Sequence, residues 1–168
     1  MALTLIPAST LDVAMIREMA EEIWAAAYPG IISDKQIAYM LDWMYAPDRL
    51  RHEIGNGHAD YFLFRLNGQS VGFASMGAGE EDLELHLHKF YLSTSHQGKG
   101  LGSQAIQLLI EEAEERGAYQ ISLRVNRKNE RALRCYQRNG FEISHEVCSE
   151  IGDGYVMDDY WMVKTLLE

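Results

Sequence analysis

Residues 96–102 read His-Gln-Gly-Lys-Gly-Leu-Gly, three glycines in five positions with a lysine between two of them. Glycine in a loop costs conformational entropy. It also lets backbone N–H groups come close to a ligand, most usefully where a helix begins and its first amides lack partners. A phosphate suits such a loop. A second set of chemistry-bearing residues lies just upstream. On a strand over residues 83–92, alternation puts Glu84, His86 and His88 on one face and Leu85, Leu87 and Lys89 on the other. Histidine titrates near neutral pH, so His86 could take a proton directly or through water, with Glu84 as a rival base; a purely structural histidine is the plainer alternative.

Two familiar phosphate loops do not fit. The GxxxxGK[ST] pattern fails because Gly100 follows Lys99 and Ser93 stands five positions before Gly98. Gly100-Leu101-Gly102-Ser103-Gln104-Ala105 matches GxGxxG/A. A dinucleotide loop, however, follows the first strand of a parallel sheet and has an acidic residue about 20 positions on. Here a hairpin comes first, and the next strand ends Arg124-Val125-Asn126.

The elements that position these residues follow from pattern. Residues 3–7 form a short strand, and Ser9-Thr10-Leu11-Asp12 is a capping-box-like entry to a helix whose apolar stripe is Val13, Ile16, Ala20, Ile23, Trp24 and Ala27. A second helix covers 33–44, with Ala46-Pro47-Asp48 as its exit. Asn67-Gly68 between two β-rich runs is a tight-hairpin signal. After the glycine loop, Leu101, Ala105, Leu108 and Leu109 make a helical stripe that Gly117 can stop. A strand at 118–125, a helix at 129–138 and strands at 141–148 and 155–166 complete the order βααβββαβαββ. This is one mixed α/β (α+β) domain over residues 1–168, with a largely antiparallel first half and a central strand-helix-strand crossover.

The run from the strand through Gln97-x-x-Gly100-x-Gly102 to Asn129-x-x-Ala132-x-x-x-Tyr136-x-x-x-Gly140-Phe141 resembles the GNAT superfamily of acyl-CoA-dependent N-acetyltransferases. The resemblance implies that the loop, Gln97, Gly98, Lys99, Gly100, Leu101, Gly102 and Ser103, wraps the pyrophosphate of coenzyme A. Lys99 would add charge or be solvated, and Asn129 would add a cofactor contact to its N-cap role. It further implies that pantetheine runs beside the strand ending His-Lys-Phe-Tyr-Leu-Ser, making the Phe90, Tyr91 and Leu92 amides oxyanion donors. Tyr136 becomes the proton donor to the departing thiolate, with a core tyrosine as the alternative. His86 stands eleven residues before Gln97, where histone-type members carry a glutamate base.

In that fold the N-terminal helices and the last strands shape the acceptor pocket. The segments 28–45 and 152–162 are similar to those of PaiA-type polyamine acetyltransferases, including the strings GIIS and MDDY. Tyr28, Tyr39, Asp42, Trp43, Asp158 and Asp159 would then hold a cationic acceptor such as spermidine or spermine through ring faces and carboxylates; packing of Tyr39 and Trp43 is the alternative. A protein or peptide acetyltransferase and a non-catalytic acyl-CoA sensor are the competing readings. A homodimer is implied by the resemblance alone.

Composition bounds these readings. A net charge of -10 argues against a nucleic-acid or anionic-membrane partner and is compatible with a cationic small molecule. The N-terminus lacks the pattern of a secretion signal, and no stretch approaches about 18 consecutive apolar residues, so a cytoplasmic setting is expected. Cys135 and Cys148 show no zinc spacing and are expected as reduced, packed thiols.

Overall fold

The structure is a computed structural model and describes residues 2–57, 59–96 and 100–166. Its centre is a seven-stranded sheet with strand order β1-β2-β3-β4-β5-β7-β6. The strands are β1 (Thr4–Pro7), β2 (Asp60–Leu66), β3 (Gln69–Ala78), β4 (Glu84–Leu92), β5 (Gln120–Asn126), β6 (Glu142–Gly152) and β7 (Tyr155–Thr165). β4 and β5 are parallel, and every other neighbouring pair is antiparallel. Helices α1 (Val13–Ala27), α2 (Asp34–Met44) and α3 (Pro47–Asn56) bury Ile16, Ile23, Trp24, Met40 and Leu50 with Tyr61, Leu63 and Phe73. On the opposite face α4 (Leu101–Glu115) and α5 (Glu130–Arg138) bury Leu101, Ile106, Leu109 and Tyr136 with Phe62, Phe64, Leu87 and Leu123. Tyr61 and Leu63 alternate with Phe62 and Phe64 between the two cores, as period-two side chains must.

Local signals account for most boundaries. Asn67 and Gly68 both take left-handed backbone angles (φ 52° and 79°), the pair a two-residue hairpin turn needs. Ser9 and Asp12 form the capping box, closing a short 3-10 turn ahead of α1. The observed order has one helix more than the pattern predicts, because α3 begins at Pro47 instead of the chain leaving helix there. Proline fits the first turn of a helix as well as it ends one. α3 buries only Leu50 and shows no apolar stripe. Asp48–Arg51 and Arg49–Glu53 ion pairs span its turns, and left-handed Gly57 caps it. Cys135 is half-buried as expected, whereas Cys148 on β6 is exposed, which corrects its assignment to packing.

β4 departs from simple alternation. Leu87 pairs with Met76 and Lys89 with Ser75, so His88 is an extra, bulged residue. Glu84, His86, Leu85 and Leu87 keep their expected faces, but the bulge turns Lys89 onto the α1–α3 face, where it is buried against Tyr61. Phe90 moves to the α4–α5 core and Tyr91 to the α1–α3 core. The parallel β4–β5 ladder runs only from Glu84↔Gln120 to Leu87↔Leu123, although both strands continue.

Gly72 of β3 lies against this part of β4. A methyl group there would collide with the Tyr91 carbonyl oxygen and press on Leu92, and backbone cannot yield as a side-chain tip does. Gly72→Ala is therefore expected to lower stability by about 1–3 kcal/mol in urea unfolding and to displace the Tyr91 and Leu92 amide resonances. A variant as stable as the parent, with both resonances in place, would contradict this packing.

Candidate functional site

Where β4 and β5 part, a cleft of about 920 Å³ opens between the two helical layers. Gly100, Gly102, Ser103 and Asn129 border it on the α4–α5 side; Phe90, Tyr91 and Tyr136 stand at the gap; Trp24, Trp43, Glu53 and Tyr61 border it on the α1–α3 side. The cleft thus passes from one face of the sheet to the other.

Gln97, Gly98 and Lys99 lie outside the described residues. Gly100 is the N-cap of α4, has φ 77° and uses no side chain as a cap. A Cβ there would meet nothing within 4 Å among the described residues. Leu101, 1% exposed, anchors this helix start in the core. Ser103 Oγ accepts from Asn139 Nδ2 at 3.2 Å, and the Gly102 backbone packs toward the Cys135 thiol. Asn129 caps α5 by accepting the Ala132 N–H at 3.3 Å and also borders the cleft. A glycine N-cap at a helix start that borders the cleft fits a phosphate-bearing ligand.

Tyr136 is buried between Phe90 and Phe141, at ring-centre distances of 6.0 and 5.7 Å. Burial pushes its phenol above the ordinary value, with the neighbouring Cys135 and Tyr28 adding to the effect, so the hydroxyl stays protonated. Tyr28 and Tyr91 approach hydroxyl to hydroxyl at 3.5 Å, and burial raises both. Trp24 and Tyr45 are buried edge to face, ring centres 5.8 Å apart, and Trp24 borders the cleft.

The histidine face of β4 is more constrained than its sequence indicates. Glu84 does not border the cleft: its carboxylate accepts from Ser122 Oγ at 3.1 Å, from the Glu80 N–H at 2.9 Å and from Gln120 Nε2. Since Ser122 gives its single proton to Glu84, its oxygen accepts from His86 Nδ1 at 2.8 Å, leaving Nε2 with the lone pair. The His86 ring stacks on Trp161 at 4.9 Å and meets His88 edge-on at 4.7 Å. Burial, reinforced by His88, pushes its pKa down to about 4. His86 is neutral at neutral pH and a weak base.

Of the acceptor candidates, Tyr28, Trp43 and Asp159 border the cleft and the other three do not. Asp42 lies on the outer surface of α2, ion-paired to Arg17 at 3.1 Å. Asp158 pairs with Arg127. Tyr39 donates its hydroxyl to the Ile151 carbonyl at 3.0 Å and its ring packs on Tyr155, so it ties α2 to β6. Asp159, 3% exposed, is held by Arg124 at 3.0 Å, and burial raises its pKa. Arg49 covers the Trp43 ring at 5.0 Å.

A Lys89–Tyr61–Glu53 chain was not foreseen. Lys89 Nζ donates to Tyr61 Oη at 2.6 Å, Tyr61 donates to Glu53 at 2.5 Å, and the ammonium lies 4.5 Å from the Tyr45 ring centre. Burial draws the Lys89 pKa down to about 8. Its one sequence signal is a lysine inside a strand.

His86 has a depressed folded-state pKa, so the stability tied to it is complete above the unfolded value of about 6.5 and is lost as pH falls toward 4. Its imidazole resonances are expected not to titrate between pH 5.5 and 8 by NMR. A midpoint at or above 6.5 would show a solvated ring.

Comparison with known proteins agrees with this architecture. Residues 17–141 match the model of the Acetyltransferase (GNAT) family. An uncharacterized N-acetyltransferase of Mycobacterium tuberculosis is 27% identical over 156 residues, 93% of this chain and 99% of its own length. The spermidine N(1)-acetyltransferase of Thermoplasma acidophilum is 24% identical over 136 residues, covering 79% of this chain and 83% of that one. The crystal structure of the PaiA N-acetyltransferase of the same organism, in complex with coenzyme A, superposes with a TM-score of 0.80 at 22% identity, covering 98% and 99% of the two chains. With the matched residues spanning the glycine turn, the parted strands and Tyr136, this chain belongs to the GNAT family of acetyltransferases.

Proposed function

We propose that this protein transfers the acetyl group of acetyl-CoA to the primary amine of a small cationic acceptor, with a linear polyamine as the leading candidate. One observation carries the reading: the cleft passes through the gap between β4 and β5 and joins the open glycine turn to an aromatic chamber on the other face. Two substrates entering from opposite faces would meet beside Phe90, Tyr91 and Tyr136. The names of the Thermoplasma relatives support coenzyme A and a polyamine. A homodimer is supported by the family resemblance, and a cytoplasmic setting by the lack of a secretion-signal pattern at the N-terminus.

Acetyl-CoA, when bound, supplies the activated acyl thioester; Gly100, Gly102, Ser103 and Asn129 would hold its phosphate-bearing arm. The Phe90 amide, past Leu87, is the donor for a carbonyl oxygen gaining charge: Ser93 N–H bonds the Val71 carbonyl of β3, so by alternation Tyr91 N–H also faces β3 and Phe90 N–H faces the gap. Tyr136 holds a proton at Oη in a dry setting and is suited to give it to a thiolate. Neither Glu84, already engaged by three donors, nor His86, with a pKa of about 4, is suited to accept the amine's proton. Solvent entering the cleft is the better acceptor. On the acceptor side the aromatic walls of Tyr28 and Trp43 support a cation, and Glu53 joins Asp159, in place of Asp42, as a carboxylate that borders the cleft.

Spermidine, spermine, a simple monoamine, free amino acids and a lysine-containing peptide, each supplied with acetyl-CoA and followed by released thiol, test the acceptor. The expected order places spermidine or spermine first by at least about 5-fold in kcat/KM, the scale of one charged hydrogen bond. Preference for the peptide or an amino acid would reject the polyamine and keep the acetyltransferase; acetyl-CoA binding without turnover on any amine would favour the sensor reading. Tyr136→Phe is expected to lower kcat by about 10- to 1,000-fold while leaving acetyl-CoA affinity nearly unchanged. Full kcat, with chemistry limiting the rate, would return Tyr136 to a packing role.

A further inference from the structure

Helix α5 carries Arg131, Arg134 and Arg138, spaced i, i+3 and i+7, so that all three fall on one stripe. They are exposed and border the same cleft as Gly100 and Ser103. The opposite side of α5 is spoken for: Ala132, Leu133 and Tyr136 pack into the core. Elsewhere in the described residues, Arg17, Arg49, Arg51, Arg116, Arg124 and Arg127 each have a carboxylate partner, and Arg65 donates to the Gly68 carbonyl of its own hairpin turn. Arg131, Arg134 and Arg138 have none among the described residues, although the chain has 25 acidic residues against 15 basic ones. Glu130, at the first turn of α5, is the acidic group nearest the stripe in sequence and also borders the cleft. Like charges three and four residues apart destabilise a helix, so the stripe is a feature that an anion would relieve.

From this we infer that Arg131, Arg134 and Arg138 form a phosphomonoester site, taking the ribose 3′-phosphate of coenzyme A and selecting coenzyme A over its 3′-dephospho form. The inference rests on the acetyl-CoA reading above and adds a second phosphate site to it. The two kinds of phosphate ask for different surroundings. The diester oxygens of a pyrophosphate suit backbone amides at close range, which the bare Gly100 turn allows. A phosphomonoester carries close to two charges at neutral pH and three acceptor oxygens. Guanidinium groups meet such a group in a planar, two-pronged fashion, and they do so from an exposed helix face at the mouth of a cleft.

Calorimetry of coenzyme A and 3′-dephospho-coenzyme A against the full chain tests the site without turnover. The parent is expected to bind coenzyme A about 10- to 100-fold more tightly than the dephospho form, and the preference should shrink as salt rises. In Arg131→Gln/Arg134→Gln/Arg138→Gln the two affinities should agree within about 2-fold. The corresponding triple Lys variant should keep part of the preference, because charge survives while the two-pronged geometry does not. Equal affinity of the parent for both ligands, or an undiminished preference in the folded triple Gln variant, would overturn the site while leaving the acetyl-CoA reading intact. If neither ligand binds the parent, the acetyl-CoA reading fails and the 3′-phosphate site fails with it.

Discussion

The parallel ladder between β4 and β5 ends at Leu87↔Leu123, and the rest of the molecule is arranged around that ending. A closed sheet would separate the two helical layers completely. Because these two strands continue without pairing, the sheet has an opening at its centre, and side chains from both layers reach the same space. The gap is held apart by volume: Phe90 and Tyr136 occupy the α4–α5 side, Trp24 and Tyr91 the other, and each ring is packed on a further ring. Collapse would need these rings to leave tightly packed positions, which protein interiors resist. The His88 bulge lies one residue past the last rung and exchanges the faces of everything after it. The same short stretch therefore sets both where the sheet opens and which side chains look into the opening.

Charge follows a comparable economy. Carboxylates near the cleft are neutralised before a substrate arrives: Asp159 by Arg124, and Glu53 by Arg49 and Lys89. A buried charge without a partner would be expensive, so these pairs first solve a folding problem. On the proposed reading, an incoming ammonium would compete with a resident guanidinium or ammonium, and discrimination among amines would rest on shape and ring faces as well as on charge. The α5 arginines are different, being exposed and without a carboxylate partner among the described residues.

Much of this was legible in one sequence where the controlling interaction is local. Asn67-Gly68 dictates its own turn, the Ser9 capping box begins its own helix entry, and the apolar stripe of α4 needs no distant information. The glycine turn and Tyr136 were visible for the same reason, as a fixed pattern around two helix starts. What escaped depends on partners far along the chain. Asp42 looked free because Arg17 lies 25 residues earlier, and Tyr39 looked like a ring for a cation because its hydroxyl partner, Ile151, is 112 residues later. α3 escaped because a helix with one fully buried residue has no stripe to detect, and Lys89 because a bulge in strand pairing leaves no mark in alternation.

The end of the cleft on the α1–α3 side is the least local part of the molecule. Its outer wall depends on two ties between α2 and the β6–β7 hairpin: Gln36 Nε2 donates to the Val156 carbonyl at 2.7 Å, and Tyr39 donates to that of Ile151. Gly152, at φ 106°, sits so close to the Tyr39 hydroxyl that a side chain there would strike it, which fixes how near the hairpin can come. Met157 then reaches the α1–α3 core and the cleft from β7. The glycine-turn end, by contrast, is built within one continuous stretch from β4 to α5. Substitutions at α2 or at the hairpin turn can therefore reshape one end of the cleft and leave the other, because the two ends share only the gap between β4 and β5. A pattern within one stretch is readable in sequence, whereas the ties that set the other end join residues 112 and 120 positions apart.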